Sequence, residues 1–154
     1  MYKKAIFFLG VLLMASAFAY AEDKFTVSGE VTFPKRKGEI HVELKTQEEY
    51  EKGKQVPEDR RMMIKLSAQQ LKSKKASFEF VNVPAGDYLI TCFQDLNKNG
   101  KIDFSISSFG EHIGDEPWGC YRPLGWPSSW DTSKFKVDKN IAGIKIDLKK
   151  GRVE

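Results

Sequence analysis

Residues 86–103 read GDYLITCFQDLNKNGKID. The first half alternates. Tyr88, Ile90 and Cys92 fall on one side of an extended chain, and Leu89, Thr91 and Phe93 on the other. Successive side chains of a strand point to opposite faces, so this period of two predicts a strand. The second half sets oxygen-bearing side chains at alternate positions: Asp95, Asn97 and Asn99, then Gly100 at the bend and Asp103. A strand running straight into such a loop makes the fold a sheet fold, with the loop at its edge.

The same period recurs outward in both directions. FTVSGEVTF (25–33) aligns Phe25, Val27, Val31 and Phe33, and GEIHVELKT (38–46) aligns Ile40, Val42 and Leu44. RMMIKLS (61–67) aligns Met62, Ile64 and Leu66, ASFEFVNV (76–83) reads as another strand, and KFKVD (134–138) and IAGIKIDLKK (141–150) close the chain. Turn-forming Gly, Pro, Asn and Asp separate the runs. About seven strands, each with one apolar and one polar face, predict an all-β domain built as a single Greek-key β-sandwich with one long aromatic-rich loop. SAQQLKSKK (67–75) fits a helical turn or two capped by Ser67, and the charged QEEYEKGKQVPEDR (47–60) reads as a surface loop.

The N-terminus, MYKKAIFFLGVLLMASAFAYAED, has basic Lys3 and Lys4, an apolar run from Ile6 to Ala15 and the small-x-small box Ala19-Tyr20-Ala21. That is the layout of a secretory signal peptide over residues 1–21, leaving 22–154 as one exported β-domain, periplasmic or secreted. No later stretch is long and apolar enough to cross a membrane, so no transmembrane segment is expected after cleavage. The net charge of +4 rests on 25 basic and 21 acidic residues. Loss of Lys3 and Lys4 lowers it to about +2, too balanced to point to a nucleic-acid partner.

Two cysteines, Cys92 in a strand and Cys120 in the long loop, fit a disulfide in an oxidising compartment, pinning loop to sheet. Two separate thiols, with Cys92 as a small core residue, is the other reading.

Calcium takes oxygen ligands from carboxylates, carbonyls and water. Side chains at positions 1, 3, 5 and 9 of a tightly curled loop converge on one point, position 7 adds a carbonyl, and a glycine at position 6 permits the curl. Here those positions are Asp95, Asn97, Asn99 and Asp103, with Lys101 giving its carbonyl and Gly100 the bend. Position 12 holds Ile106 in place of the bidentate Glu, so a further acid has to come from downstream, from Glu111, Asp115 or Glu116. Few carboxylates imply weak affinity, in the roughly 10⁻⁴–10⁻³ M class of extracellular modules. A plain hairpin around a type I′ turn at Asn99-Gly100 competes with this reading. It explains those two residues and leaves Asp95, Asn97 and Asp103 without a reason, since Asp and Asn are poor strand formers.

FGEHIGDEPWGCYRPLGWPSSWD (109–131) carries all three tryptophans of the chain: Trp118, Trp126 and Trp130. Indole faces stack on sugar rings or on apolar groups of a protein partner, so the three make a candidate ligand surface. Folding inward to cap the open end of the sandwich is the alternative. Catalytic signatures are missing from the sequence. There is no G-x-S-x-G elbow and no H-E-x-x-H. His41 alternates with Glu39 and Glu43 as a surface residue would, and His112 stands near acids without a second histidine. An enzyme is not expected.

VPAGDYLITCFQDLNKNGKID (83–103), Phe109-Gly110, and Phe135 with Val137 together resemble a family of exported bacterial β-domains of unknown function. The shared pattern is a Pro-x-Gly-x-Tyr entry at Pro84, Gly86 and Tyr88, then the Asp-x-Asn-x-Asn-Gly-Lys-x-Asp loop from Asp95 to Asp103. The likeness runs over roughly 81–110 and 134–148. Gln94 stands where members of that family often carry His. More broadly, PAGDYLI is similar to a strand of prealbumin-like and carboxypeptidase regulatory-like sandwiches. That resemblance implies a binding or structural module with an unknown protein or glycan partner.

Overall fold

The computed structural model describes residues 23–106, 112–122 and 129–151. The expected signal segment 1–21 and Trp126 lie outside the described residues. In chain order the elements are β1 (Lys24–Thr32), β2 (Glu39–Lys45), α1 (Gln47–Lys52), β3 (Arg61–Lys65), α2 (Ala68–Ser73), β4 (Lys75–Pro84), β5 (Gly86–Asp95), β6 (Phe104–Ile106), β7 (His112–Cys120), α3 (Trp130–Ser133), β8 (Phe135–Val137), β9 (Ile141–Asp147) and β10 (Lys149–Gly151). The chain is all-β, as its alternation implies.

Two sheets form. The smaller has the order β4-β1-β9, with β1 antiparallel to β4 and parallel to β9. The larger has the order β10-β7-β5-β2-β3, with β6 added on β7 and β8 on the start of β5. The described residues thus hold ten strands, more than the seven or so expected. Three of them, β6, β8 and β10, are three residues long and carry too little sequence for alternation to register. β7 was expected as loop. Its sequence, HIGDEPWGC, has two glycines, a proline and two acids and shows no apolar stripe.

The inner faces of the two sheets bury one core. Val27, Val31, Phe78, Phe80, Ile144 and Ile146 come from the small sheet and Ile40, Val42, Leu44, Tyr88, Ile90 and Cys92 from the large one. These are the residues the period of two aligned. The Tyr88 hydroxyl donates to the Pro84 carbonyl at 3.1 Å and fixes the turn between β4 and β5.

Segment 47–60 is more ordered than its charge implied. Glu49 reaches back to accept from Thr46 N–H at 2.8 Å, closing a capping box that starts α1. Its carboxylate also takes a two-pronged contact from Arg60, at 2.6 and 2.7 Å. Burial alone pushes the Glu49 carboxyl up. The hydrogen bonds from Arg60 and Thr46 outweigh it and hold the group below its ordinary value. The helix expected after Ser67 is present as α2, with the Ser67 hydroxyl accepting from Gln70 N–H at 3.3 Å.

Candidate functional site

β5 ends at Asp95, and everything about the following loop starts from that side chain. Asp95 is fully buried. Its Oδ1 accepts from the N–H groups of Lys98 at 2.5 Å and Asn99 at 3.2 Å, and its Oδ2 from Gly100 N–H at 2.7 Å. Two more side chains curl the backbone in the same way. Asn97 Oδ1 accepts from Asn99 N–H at 3.0 Å, and Asn99 Oδ1 from Lys101 N–H at 2.8 Å. The alternate spacing read in the sequence therefore winds the chain, each oxygen catching an N–H ahead of it.

The winding brings three of the predicted ligand side chains together, with Asp95 turned to the backbone. Asn97 Nδ2 donates to Asp103 Oδ2 at 2.6 Å, and Asn99 Nδ2 reaches both Asp103 oxygens at 3.1 Å. The type I′ hairpin is not what forms. That turn needs positive φ at both central residues, whereas positive φ falls on Lys98 (63°) and Gly100 (78°) and not on Asn99. Nor does β6 pair with β5; both pair with β7.

A residue from outside closes the loop. Glu116 of β7 is 3% exposed, and its Oε1 accepts from Leu96 N–H at 2.6 Å while its Oε2 accepts from Asp103 N–H at 3.2 Å. The loop's base is braced from below by the β1–β2 turn. Gln94, fully buried on the inner face, donates to the carbonyls of Lys35 and Lys37 at 2.7 Å each and accepts from Lys35 N–H at 3.2 Å.

The loop lies beside the outer face of the large sheet. Register places Met63, His41, Phe93, Trp118 and Lys149 in one cross-strand row. The rings of His41 and Phe93 stack with centroids 4.7 Å apart and planes 11° from parallel, and His41 Nε2 lies 3.5 Å from Asp95 Oδ2. His41, which its neighbours Glu39 and Glu43 made look like plain surface, is thus a wall of the loop. A groove of about 430 Å³ runs between Gly100 at the loop tip and the β2–β3 hairpin, lined by His41, Glu43, Glu58, Arg61 and Met63.

A family model described as "uncharacterized protein conserved in bacteria" (DUF2141) matches residues 30–144, from within β1 to within β9. The chain belongs to this family. The match spans the 95–103 loop, Glu116 and both cysteines of this DUF2141 chain. A comparison with curated proteins gives no match.

In this DUF2141 domain the two described tryptophans lie over the same outer face of the large sheet, but they are not equally accessible. Trp118 is half-buried on β7, while Trp130 is 5% exposed and packs over Leu89 and Cys120, its ring 6.5 Å from that of Tyr50. The expected Cys92–Cys120 bridge is not formed, and both residues are buried with their sulfurs as thiols. Register explains why. Cys92 faces Gly119 and Cys120 faces Thr91, so the two sulfurs point to opposite sides of one sheet. Cys92 lies in the main core, where burial pushes its thiol well above the ordinary value, and Cys120 lies in the small cluster around Trp130. The native domain is expected to melt at the same temperature with and without reductant, and to react with a thiol reagent only after urea is added. A reductant-dependent melt would contradict this placement.

Among the described residues, no group of three or more His, Cys, Asp or Glu side chains forms a ready-made metal site. No helix among them is long and apolar enough to cross a membrane.

Proposed function

We propose that this protein is an exported, non-catalytic binding or structural module whose 95–103 loop is a weak calcium site, on a sandwich of the prealbumin-like kind. The observation that carries the reading is the convergence of Asn97, Asn99 and Asp103 on one another, with the fully buried Asp95 at the loop's start. Buried charges are ordinarily paired or bound to metal. Asp95 and Glu116 are both buried, yet among the described residues the one basic nitrogen within reach of either is His41 Nε2.

The donor set fits a hard cation. Every side chain offers oxygen, and the Asn97 and Asn99 carbonyl oxygens each keep a second lone pair beyond the N–H they already accept. Asp103 would supply the half-exposed carboxylate, and Lys101 its carbonyl. The cation would displace the Asn97 and Asn99 Nδ2–H groups that now donate to Asp103 and stiffen the loop tip, and with it one wall of the groove beside His41 and Met63. The carbohydrate-binding alternative draws less support, because Trp130 offers no face to a ligand.

The test is a thermal melt of residues 22–154 in millimolar calcium and in chelator, beside Asp103→Asn. A ligand at ten times its dissociation constant stabilises by about 1.4 kcal/mol, or roughly 3–6 °C for a domain of this size. That shift is expected in the parent and absent in Asp103→Asn. Superimposable melts of the parent would end the cation reading. Asp103 serves better here than Asp95, whose removal unwinds the loop by itself.

A further inference from the structure

We infer that Glu116 is the positioning residue through which the 95–103 loop and strand β7 move as one unit. The inference rests on the cation reading above and concerns how loading is passed on. Glu116 follows Asp103 by 13 residues and belongs to a different element, yet its single carboxylate holds both the entry and the exit of the loop. A second link runs beside it, from Asp115 N–H to the Asp103 carbonyl at 3.0 Å. The loop ends cannot separate unless Glu116 releases one of them.

The strand geometry gives that clamp a direction. Phe93 faces Trp118 across β5 and β7, and two residues further along each strand come Asp95 and Glu116. Two buried carboxylates thus follow one another on the outer face, each satisfied by loop N–H groups. A cation held by Asp103 and the asparagines would pull on Asp103, and the Asp103 N–H bond to Glu116 is the longer of the clamp's two bonds. Trp118, two residues from Glu116 on the same face, is the nearest large side chain on β7 to feel the change.

The experiment is a calcium chloride titration of residues 22–154, read by calorimetry and by hydrogen–deuterium exchange. In the parent, binding heat is expected, with slower exchange in 95–103 and 112–120 together. Glu116→Gln keeps the size and one acceptor oxygen but removes the charge. It is expected to weaken calcium at least about tenfold, the effect typical of residues that support metal ligands, and to confine the protection to 95–103. Unchanged affinity and unchanged protection of 112–120 in Glu116→Gln would overturn the assignment of Glu116 while leaving the calcium loop standing. Absence of heat in the parent would sink the calcium loop itself. Should Glu116→Gln not fold, the parent still decides: protection gained in 95–103 alone overturns the coupling.

Discussion

Asp95→Ala is expected to lower the unfolding free energy by about 3–4 kcal/mol in urea titrations, with or without calcium. The reason is local and does not depend on any ligand. One buried carboxylate accepts from three consecutive N–H groups, those of Lys98, Asn99 and Gly100. Hydrogen bonds to a charged acceptor contribute about 1.5–3 kcal/mol each. They do not add fully, because the freed N–H groups at an exposed loop tip recover water. Alanine also opens a cavity where β5 ends and leaves Glu116 holding two backbone groups that no longer have a fixed spacing. Asp95→Asn is the informative partner. Its amide oxygen still serves the Lys98 and Asn99 N–H groups, while its nitrogen meets Gly100 N–H donor to donor. A loss of about 1–2 kcal/mol is expected. An Asp95→Ala loss under about 1 kcal/mol would mean that the loop is wound by Asn97 and Asn99 alone.

Gly38→Ala is expected to be as damaging, by about 3–5 kcal/mol, or to prevent folding. Gly38 has φ of +87°, and a Cβ there would sit 2.2 Å from the Asp95 carbonyl oxygen and 3.1 Å from Leu96 Cα. Both obstacles are backbone at the base of the loop, so no side-chain rotation relieves them. Overpacking costs about 1–3 kcal/mol and a left-handed backbone about 1–2 kcal/mol for a residue with a Cβ. Gly53→Ala separates the two terms. Gly53 also has positive φ, +62°, but nothing lies within 4 Å of its would-be Cβ. Its substitution should cost only about 1 kcal/mol. Equal effects at the two positions would show that the contact with Asp95 is not what makes Gly38 necessary.

The legible part of this fold is the part written in alternation. Tyr88, Ile90 and Cys92, or Ile40, Val42 and Leu44, announce a buried face because all of them point into the core from alternate positions of a strand. β7 escaped because it is selected for other things. Glu116 serves the loop, Gly119 leaves room against the Asp147 carbonyl 2.8 Å from its would-be Cβ, and Pro117 interrupts the pattern. Helix α1 was legible in principle from Thr46 and Glu49, but the run of charge around them read as solvent. Of the residues named by the loop's spacing, Asn97, Asn99 and Asp103 meet one another, while Asp95 turns its carboxylate to backbone N–H groups. Glu116 was one of three downstream acids; Glu111 lies outside the described residues, and separating Glu116 from Asp115 required the register of β5 against β7. The same register decides the cysteines. Whether two residues on neighbouring strands share a face depends on one step of pairing, which sequence separation does not encode. His41 was misread for the same reason, since its stacking partner Phe93 is set by the β2–β5 register.

The parallel pairing of β1 with β9 bears on how the chain can be made. Val27 faces Ile141 and Thr32 faces Asp147, so β1 waits for β9, more than a hundred residues later. A chain emerging N-terminus first cannot finish the small sheet until β9 is out. Contacts this distant in sequence place the domain among slow folders, on the millisecond-to-second scale. In that interval β1 has one flank unpaired, an open edge that a holding protein could cover and a neighbouring nascent chain could join. Loss of β9 would therefore act at β1, a strand beside it in the sheet but far from it along the chain.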